Sequence, residues 1–231
     1  MAVLIGERYR AELDAALESR GIEPVYLPDN PRVDPRLAGH ADLSAIVLGD
    51  KKIVLAQHLA KDRKIVSYLS NNKYTMIKAV SEQTTLYPGD ASLCACLVGN
   101  RLIHNKKCTD KAVLDNFSGK FINVNQGYSK CSACVVSDSA IITSDSGIAR
   151  AAKSAGVDVL QIQTGYISLD GFGCGFIGGA SFVLDKTVYF TGTLSEHPDR
   201  RFIEAFIAER GMNAIYLTQR PIFDIGSAVP V

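Results

Sequence analysis

Apolar and polar positions along this chain follow a unit that recurs. The stretch Ile46-Val-Leu-Gly-Asp-Lys-Lys-Ile-Val-Leu55 is an apolar run, a short polar turn and a second apolar run, and the same pattern returns at residues 96–104, 134–142 and 182–190. Gly-Asp, Gly-Asn and Ser-Asp between apolar runs are hairpin signals, because these residues tolerate the backbone conformations of tight turns. A helical pattern and a third short strand complete the unit. Residues 15–27 and 205–217 share Ala, Arg-Gly and Tyr-Leu at the same offsets, and residues 151–160 form a third copy. Apolar residues at helical spacing (Tyr9, Leu13 and Leu17; Phe202 and Phe206; Ile148 and Ala152) lead to a glycine suited to a left-handed cap, and an apolar strand follows at once.

A pair of small residues stands just before each first strand: Ser44-Ala45, Cys94-Ala95, Ser132-Ala133 and Ala180-Ser181, with a fifth at Ser227-Ala228. The N-terminal copy has a second strand at residues 2–5, a helix and a third strand, but no first strand; residues 227–231 supply it. The steps from Ile46 to Val229 average about 46 residues, the length of one supersecondary unit. The expectation is a single α/β domain over residues 1–231, a five-fold pseudo-symmetric ring of ββαβ repeats closed by pairing of the two chain termini. Closure removes the sheet edges that invite aggregation. A Rossmann-like sheet alternates single strands with helices, and an ordinary β-propeller is all strand; neither carries a hairpin before every helix.

Composition narrows the partners. Apolar residues make up 47% and charged residues 21%, with a formal net charge of +1. No strongly basic stretch argues for nucleic acid or an acidic membrane, and no apolar run approaches the roughly 18 residues of a membrane span. The first residues hold too few apolar positions for a signal peptide, so the six cysteines are expected as reduced thiols and the location as cytoplasmic. Nothing in the sequence sets the oligomeric state.

A ring of five hairpin–helix–strand repeats resembles the penteins, the guanidino-group-modifying enzyme fold, an α/β propeller. That superfamily includes arginine and agmatine deiminases, dimethylargininase, amidinotransferases and a non-catalytic ribosome anti-association factor. Gln126-Gly-Tyr-Ser-Lys-Cys-Ser132, Gly175-Phe-Ile-Gly-Gly-Ala-Ser181, His197-Pro-Asp199 and Asp224-Ile-Gly-Ser227 are similar to a bacterial branch without the standard C-terminal catalytic cysteine. The resemblance implies a site in the pore, where carboxylates grip a guanidinium, a histidine moves protons and a cysteine attacks carbon. Asp42 and Asp90 stand where the resemblance places acidic substrate-binding residues. Tyr128-Ser129-Lys130 stands in place of a His-x-Asp, and Ile225-Gly226-Ser227-Ala228 holds no cysteine. The fold is implied; the standard deiminase mechanism is not.

The remaining candidates have a functional and a structural reading. Cys131 beside Lys130 is a displaced nucleophile, with Tyr128 or His104 as proton carrier, or a thiol packed beside the pore. Cys131 and Cys134 with Cys94 and Cys96 offer a four-thiolate zinc site, or core packing; Cys96 and Cys134 share the repeat position of Ile46 and Phe182, so no metal and no cofactor are expected. His197, Asp199 and Asp145 read as helix-start residues, His58 as part of a solvated face, the glycine-rich residues 165–179 as a functional loop, and residues 28–35 as a surface connection. The candidate site is therefore Cys131, His104 and Tyr128 for chemistry, with Asp42, Asp90, Lys130 and Ser227 for binding. Its ligand is a small polar cation such as a guanidino or amino-acid compound. The other class of reading is a non-catalytic partner-binding module.

Overall fold

The computed structural model describes residues 1–231. Fifteen strands form five separate three-stranded sheets. The first combines β1 (Ala2–Gly6), β2 (Glu23–Leu27) and, from the far end of the chain, β15 (Val229–Pro230); α1 (Arg10–Glu18) links β1 to β2. The second holds β3 (Ala45–Gly49), β4 (Lys52–Leu55) and β5 (Thr75–Lys78), with α2 (Arg63–Asn71). The third holds β6 (Cys96–Val98), β7 (Arg101–His104) and β8 (Lys120–Asn123), with the short α3 (Lys111–Asn116). The fourth is preceded by a helical turn, α4 (Ser129–Ser132), and holds β9 (Ala133–Ser137), β10 (Ala140–Thr143) and β11 (Asp158–Gln161), with α5 (Ser146–Ser154). The fifth holds β12 (Ser181–Leu184), β13 (Thr187–Phe190) and β14 (Asn213–Tyr216), with α6 (Arg200–Ala208). In every sheet the middle strand runs antiparallel to one neighbour, its hairpin partner in four sheets and β15 in the first, and parallel to the strand after the helix.

Local chemistry explains the boundaries. Asp50 and Lys51, with φ of 46° and 55°, form the tight turn that joins β3 to β4. Asp62 opens α2 by accepting from the backbone N–H of Lys64 and Ile65 at 2.9 and 3.0 Å, and Asp145 opens α5 by accepting from that of Ile148 at 2.8 Å. Asp199 departs from the capping expectation: it precedes α6 but its side chain caps nothing there, accepting instead from the Gln163 N–H at 2.7 Å. On α6 the buried pair is Ile203 and Ile207, while Phe202, read from the sequence as an apolar-face residue, is 65% exposed. Both registers have helical spacing, and the one that meets β10 and β13 is buried.

The core is a chain of shared clusters. Leu4 and Val229 pack with Ile53 and Leu55; Ile46 and Val54 with Leu102 and Ala112; Cys96 and Ile103 with Ala133 and Ile141. Cys134 and Ile142 pack with Phe190 and Ile203, and Phe182 and Tyr189 with Val3 and Leu13. Each unit thus shares apolar surface with the next, and the fifth with the first. The two chain ends meet directly: Leu4 pairs with Val229, Val3 with Pro230, and the Val231 N–H donates to the Ala2 carbonyl at 3.0 Å. No helix is long and apolar enough to cross a membrane.

Candidate functional site

The segments that enter the first strand of each sheet occupy equivalent places in the repeat, and their side chains build the site. Four residues ahead of each small pair stand His40, Asp90, Tyr128, Phe176 and Phe223; two ahead stand Asp42, Ser92, Lys130, Gly178 and Ile225. Asp42 lies in a 3-10 turn, Ala41–Leu43, whose place is fixed by a hydrogen bond from the Asp42 N–H to the Gly226 carbonyl at 3.0 Å. Cys131 and Lys130 lie in α4, tied to the third unit by the Lys130 N–H donating to the Cys94 carbonyl at 2.9 Å.

At the centre the Cys131 thiol donates to Asp42 Oδ2 at 2.8 Å, and its sulfur lies 3.9 Å from Cys94 Sγ. His40 stands beside them: one ligand atom from each of His40, Asp42 and Cys131 falls within 4.8 Å of the others. Lys130 Nζ donates to Ser227 Oγ at 2.9 Å and to the Gly178 carbonyl at 3.0 Å. Asp224, also buried, accepts from the Phe176 and Gly226 N–H groups at 2.8 Å each. Two glycines are required here. A Cβ at Gly179 would lie 2.0 Å from Asp224 Oδ1, and one at Gly226, where φ is +67°, would lie 2.2 Å from His40 Cβ.

Two cavities border this cluster. One, of about 140 Å³, is lined by Ala45, Val47, Leu93, Leu97 and Val229 and ends at Asp42 and Lys130. The other, of about 70 Å³, has His40, Cys131 and Asp224 at its base and Leu169, Phe172 and Phe176 as walls. Those walls come from the glycine-rich loop, which is held to the opposite connection by Arg36, bonded to the Gly171 carbonyl at 2.7 Å and stacked 4.2 Å over Phe172. Tyr128 also lines this cavity and donates to Asp90 Oδ2 at 2.5 Å.

Burial dominates the electrostatics. It lifts the Asp42 carboxyl to about 7, opposed by the Lys130 ammonium and the Cys131 hydrogen bond and assisted by the Asp224 charge. Burial also raises Asp90 against the pull of the Tyr128 hydroxyl, and it raises the Tyr128 phenol, with Asp90 adding to the shift. The Cys131 thiol stands well above its ordinary value because of its contact with Cys94, its burial and the Asp42 charge. The resting site holds a thiol.

The structure brings Asp42, Lys130, Cys131 and Ser227 into one cluster and places the Tyr128–Asp90 pair on its wall. It revises two of the roles read from the sequence. Lys130 was expected to favour a Cys131 thiolate, but the ammonium points away to Ser227 and Gly178, and the thiol faces a carboxylate instead. His104 was expected as a proton carrier. It is fully buried, with Nδ1 bonded to Thr109 Oγ1 and Nε2 to the Gly127 carbonyl, each at 2.7 Å, and burial lowers its pKa to about 4. That ring is neutral at pH 7 and braces the segment carrying Tyr128. Ser227 Oγ is buried and occupied by Lys130 and by the Ser181 carbonyl, to which it donates at 2.8 Å.

The sequence missed His40 and Asp224. His40 carried a legible signal: it stands two residues before Asp42, as His40-Ala41-Asp42, at the repeat position of Asp90 and Tyr128. Asp224 stands three residues ahead of the fifth small pair, one place off that repeat position. Cys96 and Cys134 lie in the apolar clusters between sheets and do not join Cys94 and Cys131 in a four-thiolate set. Alkylation follows from this arrangement. Iodoacetamide at pH 7 is expected to modify Cys108 and Cys174, the two partly exposed thiols, well before Cys131. Peptide-resolved labelling in which Cys131 reacts first would contradict the packed-thiol geometry.

Comparison with known proteins agrees with the fold. The N-terminal domain of ArgZ, an arginine dihydrolase from cyanobacteria solved bound to product, superposes with a TM-score of 0.58 at 10% identity, covering 98% of this chain and 94% of that one. A DDAH mutant from Pseudomonas aeruginosa complexed with citrulline gives 0.56 at 10% identity, covering 93% and 91%. C. jejuni agmatine deiminase gives 0.51 at 11% identity, covering 94% and 75%. No curated protein sequence matches the chain. These likenesses show the fold, that of the penteins. Residues 4–229 match the model described as "Family of unknown function (DUF6873)", and the chain belongs to that family.

Proposed function

We propose that the five sheets form a closed ring around a central site that binds a small cation bearing a guanidino or amino group, and that the protein is not an arginine or agmatine deiminase of the standard kind. The cycle of shared apolar clusters and the pairing of β15 with β1 support the ring. The observation that carries the binding reading is the buried, unpaired Asp42 Oδ1. It lies in a site where Asp42 feels both the Lys130 ammonium and the Asp224 charge, near a cavity lined by aromatic rings. Carboxylates beneath aromatic faces recognise cations, and a buried carboxylate oxygen without a donor is costly until one arrives. Tyr128 and Asp90 would orient the ligand at the wall, while Lys130 and Ser227 hold the 224–228 turn against α4. The similar solved structures are those of arginine- and agmatine-directed enzymes, which fits this ligand class.

The reading against standard deimination rests on Ser227. A hydroxyl at the matched place of the catalytic cysteine, with its oxygen held by an ammonium and its proton by a carbonyl, has no base to activate it. A second reading, a partner-binding module, is favoured by one patch: Val80, Leu86 and Tyr87 are large apolar residues exposed at 61%, 77% and 49%.

Thermal melting in the presence of methylguanidine, agmatine and arginine, against the neutral isosteres urea and citrulline, tests the cation site. A cation at a hundred times its Kd stabilises by about 2.7 kcal/mol, a rise of roughly 5–10 °C for a domain of this size. Asp42→Asn is expected to abolish the rise. Equal shifts from urea and methylguanidine, or full shifts in Asp42→Asn, would remove the carboxylate from the reading. Release of ammonia from arginine by the wild-type protein would overturn the second half of the proposal.

A further inference from the structure

We propose that His40, Asp42 and Cys131, which border the two cavities, form a binding site for one divalent transition-metal ion of the zinc class. The donor atoms converge from separate stretches of backbone, His40 and Asp42 from the segment that enters β3 and Cys131 from α4, and all lie within 4.8 Å of one another. None of the three residues is more than 3% exposed. Two of these residues carry an unpartnered atom: His40 Nε2 and Asp42 Oδ1 have no hydrogen-bond partner although both are buried. Native structures rarely leave such an atom unsatisfied, and two of them on residues that gather with a thiol point to a ligand that accepts electron pairs.

The donor chemistry selects the ion. One imidazole nitrogen, one carboxylate oxygen and one sulfur make a borderline set, suited to zinc and its neighbours in the first transition row. Magnesium and calcium prefer cages of six or more oxygens, which this site does not offer. Bonds of about 2.0–2.3 Å imply donor separations shorter than the widest allowed here, so binding draws the residues slightly together. The Cys131 thiol hydrogen leaves as a proton, and the sulfur and carboxylate charges together balance the divalent cation. Three protein ligands leave a fourth position open. It is filled by water or a ligand from the 70 Å³ cavity, which His40 and Cys131 line, or by Cys94, whose sulfur is 3.9 Å from that of Cys131. Asp224, with both oxygens engaged by backbone N–H groups, stays outside the coordination shell.

This inference does not rest on the organic-cation reading. The two ligands would compete for Asp42, and cation binding measured in chelator-treated protein is independent of the metal. The test is titration of the chelator-treated full chain with Co2+. The expected result is one equivalent bound, with a thiolate-to-cobalt charge-transfer band that Zn2+ abolishes. Cys131→Ser should remove the band, or weaken it where Cys94 holds the fourth position, and Cys174→Ser should keep it. His40→Ala should weaken cobalt binding beyond the ten- to hundredfold typical of outer-shell changes. Should Cys131→Ser fail to fold, X-ray absorption of the wild-type zinc protein decides: one or two sulfurs with nitrogen or oxygen neighbours supports the site, and a shell of nitrogen and oxygen alone overturns it. A band left undiminished by Cys131→Ser, or no stoichiometric cobalt, also overturns it.

Discussion

Deleting residues 224–231 is expected to abolish the cooperative thermal transition of the whole chain. The segment is only the last eight residues, yet its loss strikes four of the five units at once. β1 loses its antiparallel partner and exposes an edge. Ile225 and Val229, both buried, leave the clusters that join the first unit to the fifth and to the second. Lys130 loses Ser227, and the Asp42 N–H loses the Gly226 carbonyl. Burial of two such side chains contributes about 3–6 kcal/mol, and each orphaned buried polar group adds about 1–3. The total is comparable to the whole stability of an ordinary domain. Circular dichroism and calorimetry read this directly. A truncated chain that melts as the full one does would mean that the termini carry little of the fold.

The second large effect is expected at His104. Its ring bridges Thr109 and the Gly127 carbonyl from a fully buried position at the end of β7. His104→Ala removes both bonds, leaves a cavity and strands the carbonyl, which together cost about 3–5 kcal/mol. His104→Gln separates titration from packing, since an amide can donate and accept but cannot be protonated near pH 5. The folded-state pKa of about 4 lies below the unfolded value of 6.5. The stability it represents is therefore complete above about pH 6.5 and is lost as pH falls towards 4. From pH 7 to pH 5 the wild type should lose about 2 kcal/mol relative to His104→Gln. Burial shifts Asp42 the opposite way, which is why the comparison is with the variant and not with pH 7 alone. Parallel denaturant titrations of the two proteins would show it; identical pH dependence would mean that His104 is protonated in the folded state.

The recurrence of hairpin, helix and strand was legible because each part carries its own local signal. Turn residues such as Asp50 and capping residues such as Asp145 act within a few positions of themselves, and period-two and period-3.6 patterns do not overlap. The missing first strand could be placed at residues 227–231 because the small pair Ser227-Ala228 repeats the other four. The site was legible only where it coincided with the repeat. Asp42, Lys130 and Ser227 were identified by position, and position is what the repeat specifies. Side-chain direction is not so specified. Lys130 and Cys131 are neighbours in sequence but project to different partners from the α4 turn, so the inferred thiolate did not follow from adjacency. His104 looked like a proton carrier because it ends a strand, and only tertiary packing shows that both nitrogens are taken. His40 occupies the same repeat position as Asp90 and Tyr128, but the residue type changes from unit to unit there, so the repeat alone does not single it out.

The meeting of β15 with β1 also bears on how freely the chain can be rewired. Val231 and Ala2 share a hydrogen bond of 3.0 Å, so a linker of a few residues can join the native ends without disturbing either. New ends can then be opened at an exposed hairpin such as Asp185-Lys186, where the backbone is already turned sharply, with φ of 52° at Asp185. Such a circularly permuted chain keeps every strand pairing and every cavity wall while reversing which units emerge first from synthesis. Order of emergence becomes an experimental variable, separable from the native contacts, and permutants opened at successive hairpins would identify the junction between units that must form early for folding to proceed.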